Sequence, residues 1–263
     1  MLICPAVSDS PASSVDPAAG GPVSIVTGAA VRIGRSIALK LASQGHRVAI
    51  HFNTSVAEAD QTCRDALAAG APEAVAIQAE LSDPDDCRLL IAQARQRLGQ
   101  PTVLVNSAAI FEGGSLASTD ADNWQRHLDI NLAAPLWLTQ AFCRDCDVRQ
   151  NVVNIVDWRG RRPPAGHLAY TVSKAGLVTM TELLAQELAP RVRVNGIAPG
   201  PMLPPPGADE AYLREVAATI PLRRSGDGDD IADAVAYLLN ADFVTGHILH
   251  VTGGQEFSGR AEG

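Results

Sequence analysis

The stretch IVTGAAVRIGRSIALKLASQG, residues 25–45, decides the fold. It opens as a β-branched run, passes through a turn that holds Gly28 and Gly34, and continues with apolar residues at three- and four-residue spacing. A strand that feeds a glycine-rich turn and then a helix builds a seat for an anion. Glycine lets the backbone come close to the ligand, and the first N–H groups of a helix have no partner inside it. Gly28 and Gly34 therefore mark a pyrophosphate-binding turn. Glycines that served a tight turn alone would explain less, because such a turn requires neither the strand before it nor the helix after it.

The same rhythm continues along the chain. Apolar runs at 23–27, 47–52, 74–79, 102–106, 151–156, 192–198 and 248–251 alternate with helical patterns near 34–44, 56–69, 84–98, 120–143, 169–189, 209–218 and 229–240. Repeated βαβ units with right-handed crossovers place helices on both faces of one parallel sheet. The expectation is a doubly wound α/β fold with seven parallel strands. One domain spans 22–257, with a mobile N-terminal tail at 1–21 and a C-terminal tail at 258–263. The Pro-rich segment PGPMLPPPGADEAY, 199–212, follows the end of a strand, where ligand lids tend to lie.

Composition agrees. Hydrophobic residues make up 46% of the 263 and aromatics only 4%, which gives the aliphatic core of a helix-covered parallel sheet. A net charge of −8 argues against broad binding to nucleic acid or to an anionic membrane, since both need a cationic face. No apolar run approaches the roughly 18 residues of a membrane span, and the first twenty residues lack the pattern of a secretory signal. Five cysteines without regular spacing do not form a disulfide framework, so a reducing, cytoplasmic setting is expected. Cys143 and Cys146 form a CxxC near the end of a helical pattern, not at the start of a helix after a strand, and no metal site is expected.

The second strand ends in HFNTS with no acidic residue, where a carboxylate would bond a ribose 2′-hydroxyl and repel a 2′-phosphate. Arg32 lies inside the glycine-rich turn and can reach such a phosphate, with His51, Thr54 and Ser55 as further polar contacts. The expected cofactor is NADPH. Tyr170 and Lys174 stand four residues apart on one helix face, so their side chains can meet. A neighbouring ammonium and an oxidised nicotinamide would each favour the phenolate and lower the tyrosine pKa from its usual value of about 10.

TGAAVRIG, NSAAIF, LDINLAAP, YTVSK, RVNGIAPG and VTGGQ occur in this order and spacing. Together they resemble the short-chain dehydrogenase/reductase family over residues 22–257. The resemblance implies a Rossmann-type domain in which Tyr170 is the acid/base. Lys174 holds the nicotinamide ribose and tunes the tyrosine, and Asn131 supports a proton-relay water. It also implies cofactor contacts from Ile33, Asn53, Leu81, Asn106, Ser107, Ala108, Pro199 and Gly200, and a homo-oligomer, tetramer or dimer.

Three features narrow the resemblance to the pteridine reductase branch: Arg32 in TGxxxRIG, Asp157 where most members carry Ser, and a strand-four motif that runs on to Phe111. That branch implies that Phe111 stacks a pterin against the nicotinamide and that Asp157 and Tyr170 relay protons to the ring. Trp158 and Leu203 would complete the substrate pocket. An ionised carboxylate only accepts hydrogen bonds, so Asp157 suits a ring bearing N–H groups better than a ketone. Ala109 stands where parasite enzymes of the branch carry Ser, and Thr54 stands near the position of their 2′-phosphate Arg, which leaves that contact mainly to Arg32. Two other readings remain: a carbonyl reductase of the same family, with Asp157 as a tolerated replacement, and a silent dinucleotide-binding subunit that would have no need of Tyr170 and Lys174. Asp157 could also be a loop carboxylate paired with Arg159 or Arg161, and Phe111 an ordinary pocket wall.

Overall fold

The computed structural model describes residues 20–144, 148–202 and 210–258. Seven strands, β1 (Val23–Val26), β2 (Arg47–Phe52), β3 (Ala74–Gln78), β4 (Val103–Asn106), β5 (Gln150–Ile155), β6 (Val192–Pro199) and β7 (Ile248–Val251), form one sheet in the order β3-β2-β1-β4-β5-β6-β7. Every pairing is parallel.

The pleat sends alternate residues to opposite faces of the sheet. Val26, Val48, Ile50 and Val105 pack under α1 (Arg32–Ser43), α2 (Val56–Ala69) and α8 (Gly228–Asn240). Ile25, Ala49 and Leu104 pack on the other face under α3 (Pro84–Leu98), α5 (Ala134–Phe142) and α6 (Leu168–Leu188). Residues buried on both faces of a strand explain why the strands read as continuous apolar runs. The two remaining helices are α4 (Ala121–Leu128) and α7 (Glu210–Thr219).

One expected element is divided. The helical pattern at 120–143 is α4, a π-helical turn over Asp129–Ala133, and then α5. Pro135 lies in the first turn of α5, where its missing N–H is tolerated, and the wider π turn delivers the chain to it. Asn131 sits in that turn.

The strand order reverses direction between β1 and β4, so their carboxyl ends open a crevice there, the usual ligand position of such a sheet. Leu203, Cys146 and half of the Pro-rich segment lie outside the described residues. Among the described residues no helix is long and apolar enough to cross a membrane, and no group of His, Cys, Asp and Glu could hold a metal ion.

Candidate active site

A cavity of about 570 Å³ occupies the crevice. Its floor at one end is the glycine-rich turn. Gly28 has φ +63, and a Cβ there would stand 3.0 Å from the Ala108 Cα. A Cβ on Gly34 would stand 2.3 Å from the Gly28 carbonyl oxygen, so only glycine lets α1 close on β1. The N-cap of α1, Val31, supplies no side-chain acceptor to the first turn of the helix that faces the cavity. Arg32 has φ +56, a left-handed conformation that a non-glycine residue adopts at a cost, and it lines the same end of the cavity with Ile33. These features fit a dinucleotide pyrophosphate.

His51 plays a different part from the one expected. Its Nδ1 accepts from the Gly28 N–H at 3.0 Å, and its Nε2 faces the Ala79 carbonyl at 3.1 Å, which defines an Nε2–H tautomer. The ring is buried, and burial lowers its pKa, so it is held neutral. Both nitrogens are committed within the protein, and His51 props up the glycine turn while forming part of the cavity wall. Asn53 also lines the cavity, and its Nδ2 donates to Glu80 Oε2 at 2.7 Å. Thr54 and Ser55 stand at the start of α2, outside the lining. Leu81, Ser107, Ala108, Pro199 and Gly200 all face the cavity. Thr27 Oγ1 accepts from the backbone N–H of both Ser107 and Ala108, which ties the β4 loop to the first strand. Asn106 is buried beneath them, donating to Asn154 Oδ1 at 2.8 Å, and does not line the cavity.

The reaction centre forms where β5 ends. Asp157 caps a short 3-10 turn, Trp158–Gly160, and its Oδ1 accepts from the Arg159 N–H at 2.8 Å. That turn lies directly on α6, since a Cβ on Gly160 would stand 3.0 Å from the Lys174 carbonyl oxygen. The close approach brings Asp157 Oδ2 to 2.7 Å from the Tyr170 hydroxyl, which donates to it. Lys174 is 3% exposed, its Nζ donating to the Ile155 carbonyl at 2.7 Å and standing 6.0 Å from the Tyr170 ring centre.

The tyrosine pKa departs from expectation in direction. Burial first, then the charge of Asp157 and its hydrogen bond, hold Tyr170 well above the usual value. The charge of Arg159 opposes this rise and is outweighed. Burial pulls Lys174 down to about 8.

Phe111 lines the cavity edge-on to Tyr170, with ring centres 4.6 Å apart at 85°. His167 stacks on Phe111 at 4.2 Å and 17°. Trp158 is a further wall. Asn131 does not line the cavity. Its Oδ1 accepts from the Ile110 N–H at 2.9 Å, and its Nδ2 donates to the Ile110 carbonyl and to Ser173 Oγ, each at 3.1 Å. Its side chain therefore fixes the segment that presents Phe111.

Sequence reasoning passed over Glu80 and His167, and met Arg159 only as a pairing partner for Asp157 and as part of the basic run 158–162. Glu80 follows β3 at a strand's carboxyl end, and Arg159 lies two residues after Asp157, so position alone could have marked both. His167 has φ +51 directly after Gly166, and nothing local in the sequence reveals its stack on Phe111. The expected alternative for Asp157 is half realised: Arg159 Nη1 lies 3.4 Å from its Oδ2, whereas Arg161 pairs with Glu182.

A dinucleotide crevice beside a Tyr-Lys pair defines an oxidoreductase that moves a hydride, and comparison places the chain within one family. The family model described as enoyl-(acyl carrier protein) reductase matches residues 28–256. The 3-oxoacyl-(acyl-carrier-protein) reductase FabG of Staphylococcus epidermidis is 33% identical over 238 residues, covering 88% of this chain and 97% of that one. FolM alternative dihydrofolate reductase 1 from Brucella suis, solved in complex with NADP, superposes with a TM-score of 0.86 at 36% identity, covering 91% of this chain and 96% of that one. A blue fluorescent protein from a metagenomic library, solved with NADPH, gives a TM-score of 0.83 at 33% identity, over 90% and 98% of the two chains. The chain belongs to the short-chain dehydrogenase/reductase family.

Proposed function

We propose that the protein is an NADPH-dependent reductase of a pterin-like ring, such as a dihydropteridine or dihydrofolate. The observation that carries this reading is the Tyr170 to Asp157 hydrogen bond at 2.7 Å beside the edge of Phe111. A carbonyl reductase needs donors around the substrate oxygen, and an ionised carboxylate in that position would repel it. A pterin presents ring N–H and amino groups to the same carboxylate and a flat π-face to Phe111.

Gly28, Arg32 and Gly34 would hold the dinucleotide pyrophosphate and 2′-phosphate, with Lys174 at the nicotinamide ribose. When bound, the dinucleotide supplies a hydride to the ring carbon of a C=N bond. Tyr170 Oη is the proton donor to the ring nitrogen, and its raised pKa keeps it protonated beforehand. Asp157, with its side chain 11% exposed, accepts from the substrate N–H groups and passes a replacement proton from solvent to the phenolate. Phe111 fixes the ring plane, worth about 1 kcal/mol beyond area burial.

Identity to 3-oxoacyl reductases favours a second reading, a carbonyl reductase in which Asp157 is tolerated. NADPH oxidation, followed by the absorbance of the reduced nicotinamide, separates the two. Dihydrobiopterin, dihydromonapterin and dihydrofolate are compared with simple ketones and a 3-oxoacyl thioester. Pterin turnover is the expected result, and turnover of carbonyls alone overturns the proposal.

A further inference from the structure

Arg159 lies against the acid/base pair without a place in its proton path, its charge offsetting part of the rise in the Tyr170 pKa. Its Cζ stands 5.5 Å from the Phe111 ring centre and 5.3 Å from the Trp158 ring, and its Nη1 is 3.4 Å from Asp157 Oδ2. The side chain is 22% exposed and lines the cavity. Its hold there is incomplete, because the ion-pair contact is long and the buried Nε has no partner among the described residues. A guanidinium held in this way is poised to leave.

The groups that Arg159 occupies are the ones a pterin needs. A guanidinium is a planar carbon bearing three nitrogens, and so is C2 of a 2-amino-4-oxopyrimidine, with N1, N3 and the amino group around it. Each can face a carboxylate with N–H donors while lying near aromatic rings.

We propose that Arg159 is a specificity-determining residue whose guanidinium fills the seat of the substrate's N–C–N head between Asp157 and Phe111. A substrate carrying that head displaces the guanidinium and replaces its contact with Asp157. A simple ketone offers only an acceptor, so Asp157 stays paired with Arg159 and the seat stays closed. The Arg159 backbone N–H bonds Asp157 Oδ1 whatever the side chain, so a substitution empties the seat without releasing the carboxylate. The inference rests on the pterin reading above.

The test compares Arg159→Ala with the parent enzyme, and Arg159→Met serves if the alanine variant folds poorly, since it keeps the aliphatic stem. A closed seat lowers apparent affinity by the fraction of molecules in which it is open, so KM for dihydropteridine should fall about three- to tenfold. An unchanged or raised KM overturns the inference, a raised one by making Arg159 a substrate anchor.

A second arm does not depend on pterin turnover. Methylguanidinium should bind saturably to R159A in calorimetry at millimolar concentration, but neither to the parent nor to R159A/D157N. Methylammonium at equal ionic strength should bind none of them. Failure of the parent to reduce any pterin sinks the functional proposal, whereas absence of methylguanidinium binding to R159A sinks this one.

Discussion

The Tyr170 hydroxyl donates to Asp157 Oδ2 across 2.7 Å, and the two residues reach one another only because Gly160 lets the turn after β5 lie on α6. A phenol on the first turns of a long helix thereby donates to a carboxylate at a strand end. The arrangement places a hydrogen-bond acceptor where a carbonyl substrate would require a donor.

Exchanging that acceptor for a donor should separate the two chemistries. Asp157→Ser removes the partner of Tyr170 and of a ring N–H. Pterin turnover should fall by about 100-fold or more, within the range for loss of a proton-transfer group. Carbonyl turnover, if present, should hold or rise. Steady-state kinetics on both substrate types decide the matter, and unchanged pterin turnover removes the relay.

Arg32 couples cofactor choice to backbone strain. Arg32→Ala should weaken NADPH binding about 10- to 100-fold, as expected for loss of a charge-assisted phosphate contact, with a much smaller effect on NADH. Equal losses for both would remove the 2′-phosphate contact. Arg32→Gly should lose the same NADPH preference yet stabilise the fold by about 0.5 to 1 kcal/mol, because glycine accepts φ +56 without penalty. Titration with the two dinucleotides and thermal unfolding read the two effects separately.

The reach of the sequence can be judged element by element. All seven strands and the extent of α2 and α3 follow from apolar period and from turn residues, because a parallel sheet buried on both faces leaves continuous β-branched runs. The π turn did not show, since one inserted residue hardly alters a helical hydrophobic pattern. Asp157, Tyr170, Lys174 and Phe111 could be picked out by residue type and spacing, and they converge on one cavity. His51 could not be read correctly: its two ring bonds join backbone atoms of Gly28 and Ala79, and such long-range partners leave no local trace. The pairing of Arg159 with Asp157, two residues away, was legible, whereas its place over Phe111 exists only once the β4 and β5 loops meet.

The bonds of His51 predict a stability effect. His51→Phe keeps a ring of similar size but leaves the Gly28 N–H and the Ala79 carbonyl without their partner. Orphaning one buried and one part-buried backbone group should cost about 1 to 3 kcal/mol. Dinucleotide affinity should fall with it, because the glycine turn loses its prop. A thermal midpoint equal to the parent's would show that the turn holds itself.

Lys174 predicts the sign of a pH effect. Its folded pKa is depressed to about 8 from the usual 10.5, with burial as the main cause and the Asp157 charge opposing it. Below about pH 8 both the folded and unfolded chains carry the ammonium, and the full penalty of burying it applies. Between about pH 8 and the unfolded value the unfolded chain binds more protons, so this group's contribution to stability rises with pH. Above that window both forms are neutral and the penalty is gone. Lys174→Met abolishes the titration but leaves the Ile155 carbonyl without its donor, so its absolute stability can lie on either side of the parent's. The slope is what discriminates: the parent should gain on the methionine variant as pH rises from about 8, measured by thermal unfolding without dinucleotide. A difference that stays constant across that window would mean that the ammonium is not depressed by its burial.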